Sequence, residues 1–455
     1  MSTMISRTQT AGTNPKKLTV SFWMKPAALG TTRGIWGCGT GTGDAVSLHY
    51  LNTDQFSFET YDGSSNPKLK PYKLFRDPAA WYHVVCSIDT TDTTANDRLK
   101  LYVNGERLTS LQNNTTITQD SDIPGWSGSG DTLKIGNRIL DGDAYFKGSL
   151  THFHIIDGTI YTPTDFAETD STSGIWKPKA NPSVTYGTNG GFYKFENSGA
   201  MGTDSSGQSN NCSVSGTLTQ NVDTPTNNYA TLTPLYTIEY NSSQFFTNGN
   251  NTTNSNTTQW NTNPCTMEVS SGKWYFEGYG HTNGSNYVHY GITSSAKMNA
   301  NATQAQSEIN TNSNGYAYGY YGTNGSIYYS TTSASSSTSY GNSYGSTDYI
   351  GIFADLDNNK LYFAKNGTLQ NSGTGYDISA DGKPYILATA VYSGLTNVNF
   401  GSGVFGTTAL TGTTYADANG HGTFKYSPNQ GGAANFDSAT KNFYAMNTKN
   451  LKEFG

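Results

Sequence analysis

The sequence predicts an all-β protein made of two tandem β-sandwiches and an extended C-terminal tail. Three observations predict it. First, 51 Gly, 64 Thr, 47 Ser and 45 Asn make up 207 of 455 residues. Second, only 13% of the chain is charged, which excludes a helical bundle or coiled coil rich in Ala, Leu, Glu, Lys and Arg. Third, 32 Tyr, 20 Phe and 7 Trp supply aromatic mass that disordered chains lack. Sheets use such residues, together with Thr and Gly/Asn turns. The length fits two to four domains at roughly 100–200 residues each.

Residues 1–16 read as an N-terminal arm. Leu18-Thr-Val-Ser-Phe-Trp-Met24 then alternates with period 2, as a half-buried strand does. Further strands are expected at Ala45–Tyr50, Gln55–Thr60, Trp81–Asp89, Leu99–Val103, Thr132–Ile135 and Ser149–Ile156. Turn pairs separate them: Asp62-Gly63, Asn104-Gly105, Asp141-Gly142 and Asp157-Gly158. Thr162 and Pro163 fit an N-cap and first position of one short helical turn. Phe192–Phe195 reads as a strand, and Asp204 to Asn211 as a tight polar loop. Asp223–Leu235, with Pro225 and Pro234, reads as a semi-rigid connector.

A second strand pattern follows: Thr237–Tyr240, Cys265–Val269, Lys273–Tyr279, Tyr287–Thr293, Tyr349–Asp355, Lys360–Lys365, Tyr385–Val391 and Asn397–Phe400. Asn366-Gly367 marks a turn. Within this region Ile309–Thr347 has no charged side chain but eight tyrosines. Tyr316, Tyr318 and Tyr320 alternate and Asn324-Gly325 can turn a hairpin, so an ordered Tyr-rich hairpin is expected, followed by a mobile Ser/Thr loop near Ser330–Ser343. The tail, with Phe424, Tyr426, Phe436, Phe443 and Tyr444, is expected to wrap a surface or a neighbouring subunit.

Two resemblances follow from these pieces. Leu18–Met24, Trp81-Tyr-His-Val-Val85, Leu99-Lys-Leu-Tyr-Val-Asn-Gly-Glu106 and Phe146-Lys-Gly-Ser-Leu150 resemble the laminin-G-like group of concanavalin A-type jelly rolls. That family often opens with an apolar strand and an Asp-Ser-Ser-Gly loop. Here Phe192–Phe195 and Asp204–Asn210 come last, which suggests a permuted sandwich over residues 17–222, its final strands at 185–220. Gly272-Lys-Trp-Tyr-Phe-Glu277, His289-Tyr-Gly-Ile292, Tyr349–Asp357 with Leu361-Tyr-Phe363, and Val398-Asn-Phe-Gly401 resemble SPRY domains, over residues 236–405. The connector 223–235 and the tail 406–455 complete the division. The fold expected is therefore two tandem concanavalin A-like jelly-roll sandwiches. The whole arrangement is similar to a group of bacteriophage virion proteins, with Asp223-Thr-Pro-Thr-Asn-Asn-Tyr-Ala-Thr-Leu232 as their linker and Tyr444-Ala-Met-Asn-Thr-Lys-Asn-Leu451 as their closing stretch.

That resemblance implies a tail-fibre, spike or head-surface protein. Its partners would be other virion proteins, further copies of itself (commonly as a trimer) and a host surface glycan. The rest of the sequence is compatible. A net charge of −6 without clustered Lys and Arg argues against nucleic acid. No run of 18 apolar residues predicts a membrane helix. Met1–Asn14 lacks the apolar core of a secretion signal. Cys38, Cys86, Cys212 and Cys265 are scattered and read as free buried thiols. Synthesis in a host cytoplasm and a virion-surface location are the expectation. A secreted eukaryotic adhesion module is the unrelated alternative, with sequons at Asn113, Asn114, Asn211, Asn241, Asn251 and Asn256.

The best binding candidates are Tyr316, Tyr318, Tyr320, Tyr321 and Tyr328. Tyr gives wide amphipathic contact at low entropy cost, with Gly, Ser and Asn adapting around it. The rival role is cross-strand packing. The metal candidates are Asp204 and Asn210, because calcium takes carboxylate, amide and backbone oxygens on short turns and laminin-G relatives often hold it at such a loop. An Asx-turn is the alternative there. No cofactor is required. Enzymatic activity is not expected. Glycoside hydrolysis needs two carboxyls about 5–9.5 Å apart, and Glu168-Thr-Asp170 and Asp355-Leu-Asp357 read as loop and turn residues. His152 and His154 read as a packed or solvent-facing pair. A purely architectural protein and a polysaccharide depolymerase are the competing functions.

Overall fold

The computed structural model describes residues 3–126, 128–140, 142, 144–235, 244–282, 284–299, 309, 315–429 and 442–455. Asp141, the strand expected at Thr237–Tyr240, the sequon at Asn241, residues 310–314 and Phe436 lie outside them. The chain divides into two compact units, Met1–Gln220 and Asn221–Gly455. Both are nearly all-β, as composition and periodicity predict.

The first unit is a two-sheet sandwich. Its strands are β1 (Met4–Thr8), β2 (Lys17–Pro26), β3 (Arg33–Gly41), β4 (Asp44–Tyr50), β5 (Phe56–Tyr61), β6 (Lys68–Pro71), β7 (Tyr82–Asp89), β8 (Leu99–Val103), β9 (Glu106–Arg107), β10 (Leu111–Thr115), β11 (Thr132–Ile135), β12 (Gly148–Asp157), β13 (Ala167–Thr169), β14 (Trp176–Pro178), β15 (Gly191–Tyr193) and β16 (Ser213–Ser215). One sheet runs β10-β6-β5-β4-β3-β11-β1-β16 and the other β15-β12-β2-β7-β8-β9. Strict alternation in β8 buries Leu99, Leu101 and Val103, which join Phe22, Val84 and Phe153 against Trp36, Leu48, Phe56 and Phe58 of the facing sheet. Each such side chain contributes roughly 1.5–3 kcal/mol of burial. Residues 191–193 pair with β12 and 213–215 with β1, so the segment after 170 supplies an edge to each sheet.

One expectation changes here, and one strand was not expected at all. The N-terminal arm contains a strand, because β1 pairs with both β11 and β16. Strand β3 was hidden by its glycines. A Cβ on Gly34 would lie 2.4 Å from the Arg138 backbone nitrogen, and one on Gly37 3.2 Å from the Arg138 Cα. Glycine is used there because another backbone crosses the strand. The helical turn α1 (Pro163–Phe166) forms as read, with Thr162 and Asp165 capping it reciprocally.

The second unit contains β17 (Gln244–Thr247), β18 (Thr252–Val269), β19 (Lys273–Tyr279), β20 (Val288–Ser294), β21 (Ala317–Tyr321), β22 (Ser326–Ser330), β23 (Ser335–Ser339), β24 (Ile350–Asp355), β25 (Lys360–Lys365), β26 (Thr368–Leu369), β27 (Tyr376–Asp377), β28 (Tyr385–Asn399), β29 (Val404–Phe405), β30 (Thr408–Ala409) and β31 (Tyr444–Ala445). The main order is β23-β22-β21-β20-β28-β19-β24-β25-β26, with β18 also on β28. Asn366 and Gly367, at φ 49° and 79°, make the two-residue hairpin turn between β25 and β26. The Tyr-rich hairpin forms as β21 and β22. The loop expected to be mobile after it is instead the edge strand β23, paired residue by residue with β22.

The connector is not a free link either. Tyr229, Ala230 and Leu232 are buried. The Ala230 N–H donates to the Met446 carbonyl at 2.9 Å, and that of Thr448 to the Asn228 carbonyl at 2.9 Å. The tail adds β31, parallel to β19, and the helix Thr448–Phe454, capped by the Asn447 side chain on the Asn450 N–H at 3.0 Å. The tail thus packs into the unit's own core, with Phe443, Ala445 and Met446 buried.

Candidate functional site: an aromatic face on the second unit

Strand alternation divides the candidate tyrosines between two faces. Tyr318 and Tyr320 point into the core. The Tyr318 hydroxyl accepts from the Ser379 N–H at 3.0 Å, and the Tyr320 hydroxyl donates to the Asn342 carbonyl. The Tyr320 ring lies 5.0 Å from that of Phe363. Tyr316 packs half-buried at the core margin. These three serve the core rather than a ligand, because residues i and i+2 of a strand share a face.

Tyr321 and Tyr328 face the other way. Their centroids are 4.8 Å apart, edge to face. Register brings four more rings to them. Trp260 of β18 pairs with Tyr392 of β28, and His289 of β20 pairs with Tyr321. Tyr287 shares the face of His289 by period 2. Trp260 lies 5.9 Å from Tyr321 and 5.7 Å from Tyr392, and Tyr287 lies 5.5 Å from Tyr392. Trp260, Tyr287, Tyr321, Tyr328 and Tyr392 are all half-buried. Such ring pairs contribute about 0.5–1.5 kcal/mol each beyond their burial.

His289 lies beneath them. Tyr321 stacks on its ring at 4.5 Å and 12°, and the residue is fully buried. Among the described residues neither ring nitrogen makes a well-formed hydrogen bond, although the Gly319 backbone lies near the ring. Burial lowers its pKa to about 3, with the Gly319 backbone opposing, so the imidazole is neutral at physiological pH. Ile309 covers the adjoining part of the face, against Ala317, Ala390 and Trp260. A Cβ on Gly319 would meet Ile309 Cδ1 at 2.7 Å. Trp260, Tyr287, His289 and Tyr392 could not be assigned to the site from sequence, since cross-strand register joins them. The one local signal was a lone Trp in a run of Asn and Thr.

The Asp204 loop is organised by its own hydrogen bonds. Oδ1 accepts from the N–H groups of Phe192 and Ser206 at 2.8 Å each. Oδ2 accepts from the Ser206 hydroxyl at 2.8 Å and the Asn210 N–H at 2.9 Å. The Asn210 amide donates to the carbonyls of Thr188 and Gly190 at 2.8 Å each. This is the Asx-turn alternative carried further. Among the described residues, no three His, Cys, Asp or Glu gather as a metal site would need.

Other groups that resemble chemistry are engaged structurally. Asp170 accepts from Thr172 and Ser173 N–H groups and from Lys177, whose ammonium holds its carboxyl below the usual range. Asp355 accepts from the Asn358 N–H, and Asp357 from that of Gly272. Ser21 Oγ lies 2.9 Å from His83 Nε2, which looks like a nucleophile and its base. The Trp176 indole can only donate, and it donates to His83 Nδ1 at 3.1 Å. Nε2 therefore carries the proton and donates to Ser21, the wrong direction for activating a hydroxyl. His154 stacks on Phe192 at 3.9 Å, and His152 sits at a β12 irregularity with φ 47°. All four cysteines are free and buried.

A model of the concanavalin A-like lectin/glucanases superfamily matches residues 4–163, and a SPRY domain model matches residues 273–401. The chain carries one domain of each kind. None of the curated proteins matches it. Solved structures with similarity include the SPRY domain of human HERC1, at 15% identity, covering 36% of this chain and 95% of that one, TM-score 0.29. Mouse laminin alpha1 domains LG4-5 match at 9% identity, covering 88% and 85%, TM-score 0.28. A heptameric SAP-like pentraxin from Limulus polyphemus matches at 20%, covering 35% and 69%, TM-score 0.24. Within the aromatic face, Trp260 lies before the SPRY match and Tyr287, Tyr321, Tyr328 and Tyr392 lie inside it.

Proposed function

We propose that this chain is a non-enzymatic binding protein of a bacteriophage particle surface, attaching to a host-cell glycan through the aromatic face of its second unit. The observation that carries the reading is the convergence of Trp260, Tyr287, Tyr321, Tyr328 and Tyr392 on one sheet face. Rigid rings with polar edges suit the mixed C–H and hydroxyl surface of a sugar. The lectin/glucanase match over residues 4–163, which lies in the first unit, supports a carbohydrate-binding role for the chain but does not bear on the face itself. The particle assignment rests on Asp223–Leu232 and Tyr444–Leu451, the two stretches similar to virion proteins. Neighbouring virion proteins and further copies of the chain, as a trimer, complete the proposed partners. The absence of catalysis is supported by the turn and ion-pair roles of the carboxylates described above.

Purified protein should compete with particles for adsorption to host cells. Trp260→Ala and Tyr321→Ala should each abolish competition, while Tyr320→Phe, altering only the core face, should retain it. Competition that survives both alanine variants ends the reading. Release of reducing ends from host polysaccharide would favour the depolymerase instead.

A further inference from the structure

The aromatic face has a second property: among the described residues, its strands bring almost no charge to it. Its strands, β18, β20, β21, β22, β23 and β28, contain a single Asp, Glu, Lys or Arg, which is Glu268. At ~3.3 Å per residue that side chain is roughly 25 Å of strand away from Trp260. Lys297, just after β20, is 5% exposed and donates to the Ser330 hydroxyl at 2.7 Å. His289 is neutral. Around the rings stand uncharged polar groups. Thr323 and Asn324 are exposed, the Asn324 amide donates to the Tyr328 hydroxyl at 3.4 Å, and exposed Ser337 pairs with Tyr328 across the sheet.

A carboxylate, sulfate or phosphate brought onto this face would lose hydration without meeting a cation, which is strongly unfavourable. A neutral sugar loses only hydrogen bonds that hydroxyls and amides can replace, while its C–H surface covers the rings. We infer that the ligand of this face is an uncharged glycan, held by stacking and neutral hydrogen bonds. This inference rests on the reading of the face as a glycan site. Such binding has no ionic steering and is insensitive to salt.

The test uses the intact chain on an array bearing neutral oligosaccharides (mannan, glucan and galactan types) beside uronate-containing and sialylated ones, at ~0.05 and ~0.5 M sodium chloride. The expected result is capture by a neutral glycan, with Kd changing less than about twofold between the two salts. Trp260→Ala and Tyr321→Ala should weaken it at least about tenfold. Should Trp260→Ala fail to fold, Tyr328→Ala at the rim repeats the measurement. Capture by acidic glycans alone, weakening steeply with salt, overturns the inference and leaves the glycan reading standing. No capture by either class overturns both. Neutral binding that survives all the variants places the site elsewhere and overturns the inference.

Discussion

His289 is buried among rings with neither nitrogen in a well-formed hydrogen bond, a liability for stability alone. His289→Phe keeps the shape and removes the polar atoms, so it should raise the melting temperature of the second unit, with about 1 kcal/mol or more gained. Calorimetry checks this; a lower melting temperature would show that the nitrogens have partners in solution. Asp204 is the opposite case, since both of its oxygens are fully engaged. Asp204→Ala frees four donors and should destabilise the first unit by about 2–4 kcal/mol. Calcium titration should give the same heat with and without the substitution, because the carboxylate is already committed. A calcium-dependent heat confined to the native protein would restore the metal reading.

Glu277 ties the tail to β19. It is fully buried and accepts from the N–H groups of Lys425 (3.0 Å) and Tyr426 (2.8 Å), the Asn399 amide (3.2 Å) and the Tyr275 hydroxyl (3.1 Å). Burial raises its pKa to about 7 from 4.5, and these four donors oppose the rise. The folded state thus holds this proton more tightly than the unfolded state. Its stabilising contribution is complete below about pH 4.5 and is lost as pH rises to about 7, a span of roughly 3 kcal/mol. The second unit should melt progressively lower across that window, and Glu277→Gln should flatten the slope. Gln also turns an NH2 group toward two donors, which costs about 1–3 kcal/mol and should speed amide exchange at Lys425 and Tyr426. An unchanged pH slope in the variant would remove Glu277 as its source.

The same elements show what a sequence can and cannot disclose. The hairpin Ala317–Ser330 was legible from alternating Tyr and an Asn-Gly turn. Which tyrosines face inward was not, because Tyr suits both faces of a sheet. Strand Ser335–Ser339 was not legible either. It has no apolar period, and backbone pairing with β22 alone defines it. Strand β3 was masked by glycines whose purpose is a crossing segment more than ninety positions away. The aromatic site joins Trp260 to Tyr392 through register, which no local pattern encodes.

On the scale of the whole molecule, the two units have separate cores, and their boundaries differ from the simplest division of the sequence. A fragment spanning 236–405 lacks Tyr229, Ala230, Leu232, Phe424, Phe443, Ala445 and Met446, all buried in the second unit. It should fail to melt cooperatively, whereas fragments 1–220 and 221–455 should each do so. Circular dichroism melts of the three decide this, and a cooperative 236–405 would refute the boundaries.

The clasp between residues 228–230 and 446–448 also has a consequence in time. Asn228 and Thr448 are 220 residues apart, and contacts that distant form late, after long loop closure. During synthesis the first unit has all its strands by residue 220. The second must wait, with its opening segment unpaired, until residue 448 has been added. A nascent chain halted before that point would carry one finished sandwich and one that cannot close.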